Sequence, residues 1–241
     1  ECVKELALLV SDDLQISNLS LRVGVSILQK CPSTVETKQI FASYMLSPAL
    51  SLSTSALLHD GLPAHTSLLK LFEELVVSNT VSFTELWKAM EDRFNDTQSG
   101  FDANTSTSSL LTRQSSTTST TTMMSRQSIS NLSKCMAVVA VKAPSKDEME
   151  GVIANLVNYL QSACEQESLQ SEEEAKFQLY LLTTGEIGQL MNIVATLTNG
   201  AEIAATLQRL YVTGFEYPHE EIRAASAYAL GHFAVGSMEV F

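Results

Sequence analysis

The sequence predicts an all-α protein, an α-solenoid in which helical hairpins stack into one continuous array. Three observations carry this expectation. From Pro218 to Gly236, Ile222, Ala225, Ala229 and Phe233 recur at helical spacing on one face. A proline opens the stretch, where a missing N–H is tolerated, and Glu220 and Glu221 follow where negative charge suits the helix dipole. The small Ala224, Ala227 and Gly231 are expected to let a neighbouring helix approach closely. Second, the stretch Glu174 to Gly188 is similar and sets Gly185 46 residues before Gly231, inside the roughly 40 to 47 residue period of helical repeats. Third, candidate second helices stop near Pro32, Asn79, Pro144, Gly188 and Gly236, at intervals of 47, 65, 44 and 48 residues. No such hairpin can bury its apolar face alone, so stacking is required.

The units read as HEAT repeats, five in one array: 1–32, 36–79, 82–144, 146–188 and 191–237. In the first, Glu1 to Val10 is a helix and the aspartates of Ser11-Asp12-Asp13 can cap the next. That helix runs from Leu14 to Lys30, with Ile16, Leu19, Val23 and Ile27 as its inward face. The second unit passes through Ile40, Tyr44 and Leu46 and breaks at Pro48 and at Gly61-Leu62-Pro63. It resumes from His65 to Val77 with Leu68, Leu69, Phe72 and Leu75 inward. Ser82-Phe83-Thr84-Glu85 is a capping box that opens a helix through Leu86, Trp87, Met90 and Phe94. The partner helix, with Ile129, Leu132, Met136 and Val139, is delayed by a serine- and threonine-rich stretch, about 96–127, too polar to form a core. That stretch accounts for the one long interval, so it reads as a disordered loop insertion. The fourth unit carries Val152, Leu156, Tyr159 and Leu160, then an acidic turn at Glu172-Glu173-Glu174; the fifth begins near Met191.

Composition agrees. The 241 residues are 45% hydrophobic with 5 prolines and 10 glycines, enough for a large core joined by short turns. A formal net charge of −12 argues against nucleic acid, whose phosphates require clustered Lys and Arg. Cys2, Cys31, Cys135 and Cys164 lack zinc or disulfide spacing and read as reduced thiols, three or more of them buried. Neither a membrane-spanning run nor a leader is evident, so a cytoplasmic or nuclear location is expected. Starting at Glu1 and stopping at Phe241 after a repeat helix, the chain reads as a fragment.

Nothing points to catalysis, a cofactor or a metal. The sequence lacks a phosphate-binding glycine loop, a paired-histidine zinc motif and a Gly-x-Ser-x-Gly turn. His59, His65, His219 and His232 are scattered, and His232 reads as a solvent-facing helix residue. Asp12/Asp13 and Glu73/Glu74 read as caps and solvated faces, with Lys70 and Glu74 spaced for a weak surface ion pair. Asn18, Asn95, Asn104 and Asn131 head Asn-x-Ser/Thr triplets, best explained as chance. Arg113 and Arg126 stand two residues before Ser115 and Ser128, which are therefore candidate phosphorylation sites.

The segments Leu8-Leu-Val-Ser-Asp-Asp-Leu-Gln-Ile-Ser17, Lys30-Cys-Pro-Ser33, Leu71 to Val77, Leu132-Ser-Lys-Cys135, Thr184-Gly-Glu-Ile-Gly188 and Ala225-Ser-Ala-Tyr-Ala-Leu-Gly231 occur in an order that resembles the cullin-associated and neddylation-dissociated (CAND) family, in its central-to-C-terminal part. The Ser/Thr insertion, the loop around Ser53 to Pro63 and Phe177 at a usual arginine position depart from it; Arg223 keeps that arginine. The resemblance implies a fragment of a right-handed HEAT superhelix that wraps an unmodified cullin–RING scaffold. It hinders attachment of the ubiquitin-like modifier Nedd8 and promotes exchange of substrate-receptor modules in SCF-type ubiquitin ligases. It implies a non-enzymatic assembly factor, with TATA-binding protein as a further partner. Second-helix residues Lys70, Glu74, Lys134, Glu186 and His232 are then candidate exposed contacts, and Arg223, Gly185 and Gly231 are repeat-structural positions. The alternative is another HEAT scaffold, such as a transport receptor or a phosphatase regulatory subunit.

Overall fold

The structure, a computed structural model, describes residues 2–11, 13–30, 34–99, 124–166 and 169–236. Among these residues it is built from helices alone: α1 (Cys2–Leu8), α2 (Leu14–Lys30), α3 (Val35–Ser53), α4 (Pro63–Val77), α5 (Phe83–Ser99), α6 (Arg126–Val141), α7 (Lys146–Cys164), α8 (Ser171–Leu190), α9 (Ile193–Thr196), α10 (Gly200–Gly214) and α11 (Glu220–Gly236). They form two rows. α2, α4, α6, α8 and α11 lie side by side as a front row, α1, α3, α5, α7 and α10 as a back row, and α9 leads into α10. One apolar cluster runs through both rows from Ala7 to Phe233. This is an α-solenoid.

Helix starts follow from capping chemistry. The Asp13 carboxylate accepts from the N–H groups of Gln15 and Ile16 at 3.0 and 3.1 Å. The hydroxyl of Ser82 accepts from the Glu85 N–H, and the Glu85 carboxylate accepts from the Ser82 N–H, both at 3.3 Å. Ser125, Ser145 and the Gln170–Glu173 box open α6, α7 and α8 similarly. Each cap satisfies donors that a helix start leaves orphaned. The turn before α4 needs Gly61, whose φ of +82° disfavours other residues. Arg223 donates from Nη1 to the carbonyls of Tyr217 and Pro218 at 2.9 and 2.6 Å, tying off the turn between α10 and α11.

The expected core faces of α4, α5, α6 and α11 are buried, except that Leu69 is only partly so: Leu68, Phe72 and Leu75; Leu86, Met90 and Phe94; Ile129, Leu132, Met136 and Val139; Ile222, Ala225, Ala229 and Phe233. Elsewhere the structure corrects the sequence reading. α3 does not break at Pro48 but runs through it, burying Phe41 and Met45 while Ile40 and Tyr44 stay 42% exposed. A proline costs a helix one hydrogen bond and crowds the preceding turn, and the buried Met45, Ala49 and Leu50 around it offset that. In α2 the inward residues are Ser17, Ser20, Leu21 and Gly24; Ile16, Leu19 and Val23 are 42%, 61% and 45% exposed. α5 continues past Asp96 to Ser99 and α6 starts at Arg126, inside the stretch read as an insertion. Glu172, Glu173 and Glu174 form the first turn of α8 rather than a linker, where the dipole favours them. Ala224, Ala227 and Gly231 face outward, with open space where a Cβ on Gly231 would stand. The close approach uses Gly185 instead, whose added Cβ would lie 2.5 Å from the Cα of Ala229. Cys135 is buried, Cys164 only partly and Cys2 is exposed, so fewer than three cysteines are buried; Cys31 lies outside the described residues.

Candidate functional site

The front row gathers two polar clusters. The first joins α2, α4 and α6. Lys70 lies 2.9 Å from Glu73 and 3.1 Å from Glu74, Lys142 lies 3.0 Å from Glu73, and the Gln29 amide donates to Glu74 at 2.7 Å. Burial raises the Glu73 carboxyl, but Lys70 and Lys142 outweigh it and hold the group below its ordinary value. Lys70 is raised by the same partners, Glu73 first. The pair expected as an isolated surface contact is therefore part of a bridge across three helices.

The second cluster joins the α3–α4 loop, α4, α6, α8 and α11. Lys134 pairs with Asp60 and stands 3.8 Å from Glu186. Tyr228 donates to Glu186 at 2.7 Å and stacks on His232 with ring centroids 3.9 Å apart. The Nδ1 of His232 is 3.5 Å from Glu186, and the Nε2 of His65 is 3.6 Å from Asp60. Burial pushes the Tyr228 hydroxyl up, and its bond to Glu186 adds to that. Burial lowers His65, and the attraction of Asp60 only partly offsets it. The Lys134 ion pairs and the Tyr228–Glu186 hydrogen bond join helices, while His65 Nε2 and His232 Nδ1 are buried without a hydrogen bond among the described residues.

The structure thus brings Lys134, Glu186 and His232 to one place and Lys70 and Glu74 to another. Two expectations about them are corrected. The side chains of Glu186, Lys134 and Glu74 are 8%, 11% and 13% exposed, not open surface contacts, because α4, α6 and α8 have front-row neighbours on both sides. His232 does not face solvent freely; its ring is covered by Tyr228. Asp60, His65, Tyr228, Gln29, Glu73 and Lys142 complete the clusters and were not anticipated as contacts. One signal was available for the pairing: Glu186 and His232 directly follow Gly185 and Gly231, the same place one period apart.

The remaining candidates also have a place. Ser128 is 4% exposed on the first turn of α6 and within hydrogen-bond distance of the Ser125 hydroxyl at 2.8 Å, so it is not presented for modification; Ser115 lies outside the described residues. Asn131 is fully buried and donates to the carbonyls of Ser55 and Leu58 at 3.0 and 2.8 Å, a structural tie between α6 and the α3–α4 loop. Among the described residues no three His, Cys, Asp or Glu side chains converge to hold a metal ion, and no helix is long and apolar enough to cross a membrane.

Fold and clusters together define a helical-repeat protein whose polar side chains serve mainly to join its own layers. No family model matches the chain. It is similar to cullin-associated NEDD8-dissociated protein 1 of Arabidopsis thaliana, 26% identical over 236 residues. That alignment covers 97% of this chain but spans only 16% of the relative's length. The chain is thus an α-solenoid with distant similarity to a cullin-associated protein.

Proposed function

We propose that the chain is a segment of a non-enzymatic scaffold that binds cullin–RING ubiquitin ligase cores and regulates their assembly, neddylation and exchange of substrate-receptor modules. The observation that supports this reading is the similarity to a cullin-associated protein along almost the whole chain. In this reading the five repeats are 1–32, 36–79, 82–144, 146–188 and 191–237, acting in the cytoplasm or nucleus. Lys134, Glu186 and His232 set the pitch between repeats, and Lys70, its side chain 44% exposed, is a better direct contact than Glu74, which is 13% exposed. Solenoids supply long surfaces rather than pockets, which suits an arch that spaces distant contacts.

A pull-down with the full-length parent tests the proposal. Recovery of the cullin–RING core only while its modifier-acceptor lysine is free is the expected result. Failure of the unaltered parent to bind any cullin overturns it, as does recovery of a transport cargo or a phosphatase core instead. TATA-binding protein, added to the same experiment, is expected as a weaker second partner.

A further inference from the structure

On the back row a groove of 390 Å3 opens between α5 and α7, with α8 as its inner wall. α5 and α7 make the sparsest contact of any neighbouring back-row pair, and further helices flank them on both sides, so the opening belongs to the interior of the array. Two ring pairs line it: Phe83 and Trp87 of α5, with centroids 6.3 Å apart, and Tyr159 of α7 with Tyr180 of α8, 5.0 Å apart. Thr84 and Asn155 are exposed at its rim. The Tyr180 hydroxyl donates to Glu91 at 2.8 Å, so the carboxylate in the lining is engaged. The cation in the lining is not. The Lys176 ammonium lies 5.1 and 5.5 Å from the ring centroids of Tyr159 and Tyr180, and among the described residues no carboxylate comes within ion-pair distance of it. This lining selects its occupant. Ring walls offer a backbone N–H no good acceptor, and an N–H buried against them goes unpaired at a cost. Proline brings no N–H, and a run of prolines holds an extended helix whose carbonyls lack internal partners. The Asn155 amide and the Thr84 hydroxyl are donors for such carbonyls.

We propose that this back-row groove docks a proline-rich segment of a partner protein that carries an acidic side chain beside its prolines. The proline rings seat against Trp87 and Tyr159, the carbonyls accept from Asn155 and Thr84, and the carboxylate reaches Lys176. Phe83, Trp87 and Tyr180 are buried and held by packing, so the walls are set before anything binds and little order is lost on binding. The groove lies on the row opposite the clusters around Lys70 and Lys134, and its occupation does not depend on whether the chain binds a cullin core.

Trp87 is the only tryptophan of the 241-residue chain, so its emission reports on the groove directly. The test titrates the chain with three short blocked peptides that lack tryptophan: one of prolines and a glutamate, a twin with alanine for each proline, and a twin with lysine for the glutamate. A saturable change in Trp87 emission is expected with the first, and about tenfold weaker binding with each twin. Lys176→Glu is expected to reverse the preference between the glutamate and lysine peptides, and Asn155→Arg, an exposed position, to block all binding. Unchanged thermal unfolding shows that both variants stay folded. Equal binding of the three peptides, or none, sinks the proposal, as does a signal that survives both variants. A change in Trp87 emission with protein concentration alone, removed by Asn155→Arg, assigns the groove to a second copy. Binding that appears only when residues 100–123 are deleted assigns it to the chain itself, and either result overturns the proposal.

Discussion

The joint between α8 and α11 and the joint between α4 and α6 are both contacts between neighbouring front-row helices, yet they differ in how closely the backbones approach. At α8–α11 the backbones nearly touch: a Cβ on Gly185 would meet the Cα of Ala229 at 2.5 Å, and one on Gly188 would meet the Phe233 ring at 2.5 Å. Thr183 and Thr184 fold their hydroxyls back onto carbonyls of their own helix at 2.8 Å, leaving methyl groups for packing. At α4–α6 the packing is less extensive, Lys142 pairs with Glu73 across it, and beside it Lys134–Asp60 and the Asn131 amide tie α6 to the α3–α4 loop. Close packing tolerates no added volume and ignores salt, whereas a polar joint tolerates volume and responds to pH and ionic strength. The α8–α11 joint is therefore set chiefly by close backbone packing, and the α4–α6 joint adds ion pairs to its apolar core.

The largest effect is expected where volume and charge are both refused. Ala229→Asp puts a carboxylate with no partner at a fully buried position and is expected to cost about 3–5 kcal/mol, read as a collapse of the urea midpoint. An unchanged midpoint would show that α11 does not pack as described.

The closely packed joint was partly legible and the charged one was not. Ile222, Ala225, Ala229 and Phe233 announce their face because α11 keeps an exposed side, so its apolar residues recur at helical spacing. α8 is buried nearly all round, so its periodicity vanishes and only the Gly185 register located it. In α2 the apolar stripe was readable but its side was not: Ser17, Ser20 and Gly24 pack inward because small residues let α2 come close, with Phe41 3.3 Å from where a Cβ on Gly24 would be. Lys134, Glu186 and His232 were picked out as second-helix residues, yet their burial depends on Tyr228 and Asp60 arriving from other turns of the array. Sequence spacing gives the period; it does not give the side chains that neighbouring periods bring.

Next in size is Lys134→Met. It removes the cation between Asp60 and the buried Glu186 carboxylate and is expected to cost about 2 kcal/mol. Adding Glu186→Gln should recover much of that loss, since it removes the uncompensated charge, and a double-mutant cycle by denaturation measures the coupling. Additive losses would mean that the two groups do not interact.

His65 sets a smaller, pH-dependent term. Burial lowers its folded-state affinity for a proton, so the unfolded chain binds the proton more readily. Its stabilising share is complete above the ordinary value near 6.5 and is lost as pH falls below it, by no more than about 1.4 kcal/mol per pH unit. His65→Gln is expected to flatten the decline of the melting temperature between about pH 6.5 and pH 5. A steeper decline would mean that Asp60, not burial, governs the imidazole.

The smallest effect, Lys142→Ala, separates the two kinds of joint most cleanly. Lys142 is 43% exposed and Glu73 23%, so solvent screens their 3.0 Å pair, and Lys70 remains 2.9 Å from the same carboxylate. The loss should be about 0.5 kcal/mol at low salt. At about 1 M salt, where charges are screened over ~3 Å, wild type and variant should melt together. Ala229→Asp should stay destabilising under the same conditions, because its cost lies mainly in burial, which salt does not reach. If Lys142→Ala keeps its full effect in high salt, its methylene stem rather than its charge holds α6 to α4, and the middle of the solenoid is a packed joint like the other.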